Sequence, residues 1–83
     1  MHFKGGDFIN ITIEKKIGNN IRLLREEAKM TQDVLASKLQ LAGCDITRSA
    51  IAKIEVGQRH IYPDEILLIK EILNTSFDKI FNI

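Results

Sequence analysis

One stretch, TQDVLASKLQLAGCDITRSAIAKIEVG from Thr31 to Gly57, constrains the fold more than any other part of the chain. It reads as two short helices joined by a turn. Thr31 is a hydroxyl N-cap, Gln32 and Asp33 lie in the first turn, and Val34, Leu35 and Leu39 give a helical apolar face. Gly43 breaks that pattern. Thr47 then caps a second helix carrying Ile51 and Ile54, three apart on one side, with Arg48, Ser49 and Lys53 on its other sides. Gly57 supplies the left-handed stop that a helix end favours. The second helix, apolar behind and polar in front, is built to be presented to something outside the protein.

With 83 residues the chain makes one domain, small but able to fold alone. The apolar fraction, 45%, is that of a globular protein, and with no Trp the core falls to Ile and Leu. No apolar run approaches the ~20 residues of a membrane span, and the start lacks a signal-peptide pattern, so no membrane role is expected. The single Cys44 excludes an internal disulfide framework and suits a reducing cytoplasm, the predicted location. A net charge of +1 neither demands nor forbids nucleic acid. Any such face must come from how the charges are distributed.

The flanks complete an all-α reading. Residues 1–13 form a leader whose Gly5-Gly6 is a flexible joint, and Phe8, Ile9, Ile11 and Ile13 hold a partial period-two alternation compatible with a short strand. It is either loosely docked or an arm that pairs with a second subunit. The main domain spans 14–83. Ile17, Ile21, Leu24 and Ala28 mark one stripe of a first helix over 14–29, widened by Leu23 and weakened at its start by Gly18, Asn19 and Asn20. Arg22 and Glu26 form an i, i+4 pair. Ile46 plugs the core just before Thr47. Glu55, next to Ile54, points partly inward. Pro63, Asp64 and Glu65 open a fourth helix that runs to about Leu73, Asn74 ends it, and Ser76 caps a last turn, Phe77–Phe81.

From Ile17 to Phe81 the chain resembles the lambda-repressor-like (XRE or Cro-type) helix-turn-helix domains. The marks are IRLLREEAKMTQDVLASKL, then ITRSAIAKIEVGQR, then the ILLIKEIL helix and the closing SFDKIF. In this order and spacing they imply a compact five-helix domain. One departure stands out: the turn between the second and third helices carries about five extra residues, Leu41–Asp45, and Gly43 serves this longer loop.

The resemblance implies that Arg48, Ser49 and Lys53 face base edges in the major groove, on a recognition helix at about 47–56. The chemistry agrees: Arg matches O6 and N7 of guanine with two parallel donors, Lys is a point charge, Ser donates or accepts, and Ala50 is placed to touch a thymine methyl. The resemblance also implies backbone contacts from Gln32, Thr47 and Arg59, with Arg22 and Lys29 as outlying phosphate contacts. It further implies a structural ion pair, Arg25 with Glu55, rather than a DNA contact for Arg25.

The surplus apolar residues Leu68 and Ile72 of the fourth helix suit either a thickened core or a homodimer surface, which would space two recognition helices for a palindromic operator. Nothing looks catalytic. Cys44, His2 and His60 lack metal-ligand spacing, Ser49 has no visible base, and neither cofactor nor small-molecule effector is expected. The sequence therefore points to a non-enzymatic, DNA-binding transcriptional regulator, a repressor acting by promoter occupancy. The competing reading is a protein-interaction module, such as an antitoxin or adaptor, using the apolar face of the fourth helix.

Overall fold

Four hydroxyl or proline signals set where helices begin. The structure, a computed structural model, describes the backbone of residues 5–82 and the side chains of 13–82. Among them lie five helices and no strand: α1 Gly5–Glu27, α2 Gln32–Leu41, α3 Arg48–Glu55, α4 Pro63–Ile72 and α5 Phe77–Ile80. Thr31, Thr47 and Ser76 each accept the backbone N–H of the residue three on, at 3.1, 3.1 and 3.2 Å. Each thereby satisfies one of the N–H groups a helix start leaves open. Pro63 occupies the first position of α4, and Glu65 accepts the Tyr62 N–H at 2.9 Å. A left-handed residue follows the end of each of the first four helices: Lys29 at φ 57°, Gly43 at 90°, Gly57 at 78° and Asn74 at 52°.

The structure departs from the sequence reading at the N-terminal side. Residues 1–4 lie outside the described residues, but from Gly5 the chain is helical and runs unbroken into the body of α1. The period-two reading of Phe8–Ile13 gives way to a competing pattern in the same letters. Ile9, Ile13, Ile17 and Ile21 recur in the sequence every four residues, the helical interval. Ile13 packs against the core and Ile17 and Ile21 lie in it.

The core is aliphatic: Ile17 and Ile21 from α1, Leu35, Ala36 and Leu39 from α2, Ile46 from the turn, Ile51 and Ile54 from α3, Ile69 and Leu73 from the α4 region, Ile80 from α5. Leu23 and Val34, assigned to apolar stripes from spacing, lie on the surface, 49% and 42% exposed. Each is adjacent in sequence to a better-placed residue, Leu24 or Leu35, and a stripe about 100° wide has no room for both. The long turn is well tied. Cys44 N–H bonds the Leu39 carbonyl at 2.9 Å, and the Gln40 side-chain amide bonds the Ile46 carbonyl at 2.8 Å. These bonds fold the extra residues outward and leave Ile46 buried, while Leu41 stands 89% exposed.

Gly18 explains how closely α3 is held. A Cβ there would lie 2.0 Å from the Ile54 carbonyl oxygen. The residue is needed for close helix approach and is not merely a weak spot in α1. Asn20 likewise acts across the fold, because its amide donates to the carbonyls of Ile80 and Asn82 at 2.9 and 3.1 Å and closes the end of α5. Gly18→Ala should therefore lower stability by at least ~2 kcal/mol, although helix propensity alone favours it by ~1 kcal/mol. Urea unfolding distinguishes the two, and a midpoint at or above wild type would refute the close-approach argument.

Candidate nucleic-acid interface

α3 is amphipathic about the axis its spacing sets. Ile51, Ile54 and Glu55 are buried, whereas Arg48, Ser49 and Lys53 are exposed. Helical arithmetic places Ala52 one turn beyond Arg48 and Lys53 one turn beyond Ser49. Val56, half exposed, extends the same face. Ala52 and Val56 were not singled out from sequence, though their i+4 and i+8 spacing from Arg48 signals them. Ala50 is different: it is half-buried and packs on the core, which turns its methyl away from the outer face.

The start of α2 sits alongside this face. Asp33 Oδ1 is 3.8 Å from Arg48 Nε, and the Gln32 side-chain amide donates to Glu55 at 3.0 Å. Thr31 already takes the Val34 N–H. The N–H groups of Gln32 and Asp33 thus remain at a positive helix end, beside the polar front of α3. Thr47, exposed at the start of α3, has its oxygen engaged with Ala50 but keeps its hydroxyl proton. Gln32 has one of its two amide protons directed inward and keeps the other.

Beneath the face lies a buried ionic knot. Arg25 Nε donates to Glu55 Oε2 at 2.7 Å, Arg25 Nη2 to Glu55 Oε1 at 3.0 Å, and Arg25 Nη1 to the Met30 carbonyl at 2.7 Å. Both side chains are at least nine-tenths buried. The Glu55 hydrogen bond pushes the Arg25 guanidinium above its ordinary value, against the opposing effect of burial. One knot therefore joins α1, the α1–α2 turn, α2 through Gln32, and α3.

Arg59 makes a second fork of the same kind. Its Nη1 and Nη2 donate to the two Glu65 oxygens, each at 3.0 Å, Nη1 also meets the His60 carbonyl at 2.7 Å, and the guanidinium lies 5.6 Å from the Tyr62 ring centre. This ties the α3–α4 loop to α4 and leaves only part of Arg59 free to reach outward. Burial alone raises the Glu65 carboxyl, but the Arg59 hydrogen bonds and the Tyr62 N–H outweigh it and hold the group below the ordinary carboxylate range. His60 Nδ1 lies 2.6 Å from Glu14 Oε2 and links the same loop to α1.

The other sequence candidates are placed less decisively. Arg22 pairs with Glu26 at 3.2 Å and bonds Asn19 at 2.9 Å, and Lys29 is exposed in the α1–α2 turn. Leu68 and Ile72 are half-buried and pack against the core, so the large apolar residue that α4 exposes is Leu67, at 46%. Phe77 and Phe81, 6.3 Å apart between ring centres, form a second exposed apolar patch. Cys44 is half-buried. Burial and the charges of Glu65 and Asp64 push its thiol up, which keeps it protonated and poorly nucleophilic at neutral pH. Among the described residues no His, Cys, Asp or Glu cluster could hold a metal ion, and no helix is long and apolar enough to cross a membrane.

Comparison with known families matches a helix-turn-helix model over residues 21–80. That match takes in most of the chain, including α2, the long turn, α3 and both Arg–Glu forks. Comparisons with curated proteins and with solved structures return no match.

Two measurements test the forks. Glu55→Ala leaves the Arg25 charge buried without its carboxylate and should cost ~3–5 kcal/mol in urea unfolding. Replacing both partners by Met should cost clearly less, and equal costs would contradict a penalty from the uncompensated charge. The Glu65 carboxyl binds its proton less readily folded than unfolded, so its contribution is present above the unfolded pKa of about 4.3 and is lost as pH falls through the lower folded value. Glu65→Gln should flatten the fall of Tm with pH below about 4.3. An unchanged acid slope would remove this role.

Proposed function

The chain belongs to the lambda-repressor-like helix-turn-helix family, and on that premise we propose that it reads a specific duplex DNA site through α3 and represses transcription by occupying a promoter. The observation that carries the reading is the juxtaposition of two features on one side of the molecule. One is the polar front of α3, with Arg48, Ser49 and Lys53 exposed. The other is the start of α2, with open N–H groups at a positive helix end.

In this mechanism the groove receives α3. Arg48 offers its fork to guanine O6 and N7, Lys53 offers a charge to an acceptor-rich edge, and Ser49 donates or accepts as the base requires. Ala52 and Val56, in place of the inward-turned Ala50, supply apolar area for a thymine methyl. A phosphate lies at the α2 start, met by backbone N–H groups and by the remaining Gln32 amide proton, and a second meets the Thr47 hydroxyl. Arg59 is foremost a loop clamp on Glu65, and its free edge adds a secondary backbone contact. Because Gln32 is fastened to Glu55, the phosphate contact and the base-reading helix move as one body.

Binding as a homodimer on a palindromic operator follows from the size of one such face, since two groove helices about one DNA turn apart multiply specificity. The exposed pair Phe77 and Phe81, with Leu67, is better suited to a second copy than Leu68 and Ile72, whose apolar area is largely committed to the core. The site lies in the cytoplasm with the DNA it regulates.

The test is selection from random duplex DNA at several salt concentrations. Enrichment of a palindrome, with affinity falling steeply as salt rises, is the expected result. Lys53→Ala should lose preference at one position of each half-site while keeping the fold by circular dichroism. Unchanged preference in that variant would end its base-reading role. Absence of any enrichment with a folded protein would favour the interaction-module reading, for which salt dependence is weak.

A further inference from the structure

Asp33 suits the positive start of α2 but opposes a phosphate placed beside it. It is 75% exposed in its side chain, at the helix start that faces phosphate in the proposed binding mode. It is not the cap of α2, because Thr31 already accepts the Val34 N–H. A free carboxylate at this place repels the DNA backbone. Its geometry offers a reason for its presence. Asp33 Oδ1 faces Arg48 Nε, the inner nitrogen of the guanidinium, at 3.8 Å, beyond a hydrogen bond but within an ion pair. An approach through Nε engages neither of the two parallel donors that Nη1 and Nη2 offer to a base.

We propose that Asp33 is a positioning residue for base recognition: it aims Arg48 so that the outer edge of the guanidinium meets O6 and N7 of a single guanine. The proposal rests on the DNA-reading role of α3. In the free protein the pair is water-screened and weak, both side chains being mostly exposed. As the groove closes on α3, water leaves and the attraction between Asp33 and Arg48 strengthens. An Arg48 held this way has lost its freedom to turn toward phosphate, so its charge goes to one base. An unpaired Asp33 would sit against the DNA backbone, so sites that draw Arg48 elsewhere are disfavoured. Selectivity is gained from both effects.

The experiment compares selected motifs for wild type, Arg48→Ala, Asp33→Ala and Asp33→Asn, each with its affinity for random duplex DNA. Arg48→Ala identifies the base pair that Arg48 reads. Asp33→Ala should weaken the guanine preference at that same base pair by roughly five-fold or more and leave the other positions intact. Its affinity for random duplex should rise by about two- to five-fold, since one repelling charge is gone. Asp33→Asn, which keeps an acceptor without the charge, should fall between. A merely structural role for Asp33 at the start of α2 would instead lower every position together. That outcome, or an unchanged preference at the Arg48 position, would overturn the proposal while leaving DNA reading in place. A wild-type protein that enriches no sequence would overturn both.

Discussion

A buried carboxylate is costly inside a small aliphatic core unless donors surround it. Glu55 is surrounded: two nitrogens of Arg25 and the amide of Gln32 converge on its two oxygens. The remaining Arg25 nitrogen continues to the Met30 carbonyl, in the turn that the left-handed Lys29 makes possible. Most of the structure depends on this knot. It sets where α1 ends, how α2 starts and where α3 lies relative to both. The outer face of α3 owes its fixed presentation to polar bonds on the helix's inner side, since eight residues make too short a helix to hold itself.

The rest of the framework keeps α3 close. Gly18 lets the α3 backbone lie against α1 with no intervening side chain, at a distance any Cβ would prevent. At the other end, the Arg59–Glu65 fork fastens the α3–α4 loop to the first turn of α4. α3 is thus gripped on both sides by Arg–carboxylate forks and along its back by Ile51 and Ile54. The residues of the long turn loop outward under the restraint of Gln40 and Gly43 and add Leu41 to the surface. An insertion there is absorbed because Ile46 still reaches the core and Thr47 still caps α3.

Charge explains why composition was silent about the partner. The net charge is +1, but the acids are not spread evenly over the molecule. Glu55 and Glu65 are buried in forks, Glu26 is paired on the surface, and the outer face of α3 carries Arg48 and Lys53 with no acid of its own. Asp33, a carboxylate beside that face, is paired with Arg48. A near-neutral protein can therefore present a positive face on α3, and a sum over the chain hides it.

Local chemistry alone determined a good deal of this molecule. Thr31, Thr47 and Ser76 as caps, Pro63 as a helix start, Gly57 and Asn74 as stops, Ile46 as the plug and the polar front of α3 were all legible. Each depends on residues within one or two helical turns of each other, and backbone hydrogen bonding leaves such residues few alternatives. What periodicity could not decide was which of two equally apolar neighbours faces inward. Leu23 against Leu24 and Val34 against Leu35 were settled by what packs across from them. Tertiary structure alone decided that Gly18 is a contact and not a weakness, that Arg59 clamps Glu65, that Gln32 turns partly inward and that Asp33 meets Arg48. Each of these needs two segments distant in sequence, or folded back on a loop, to meet at a few ångströms, and spacing along one helix carries no record of that distance.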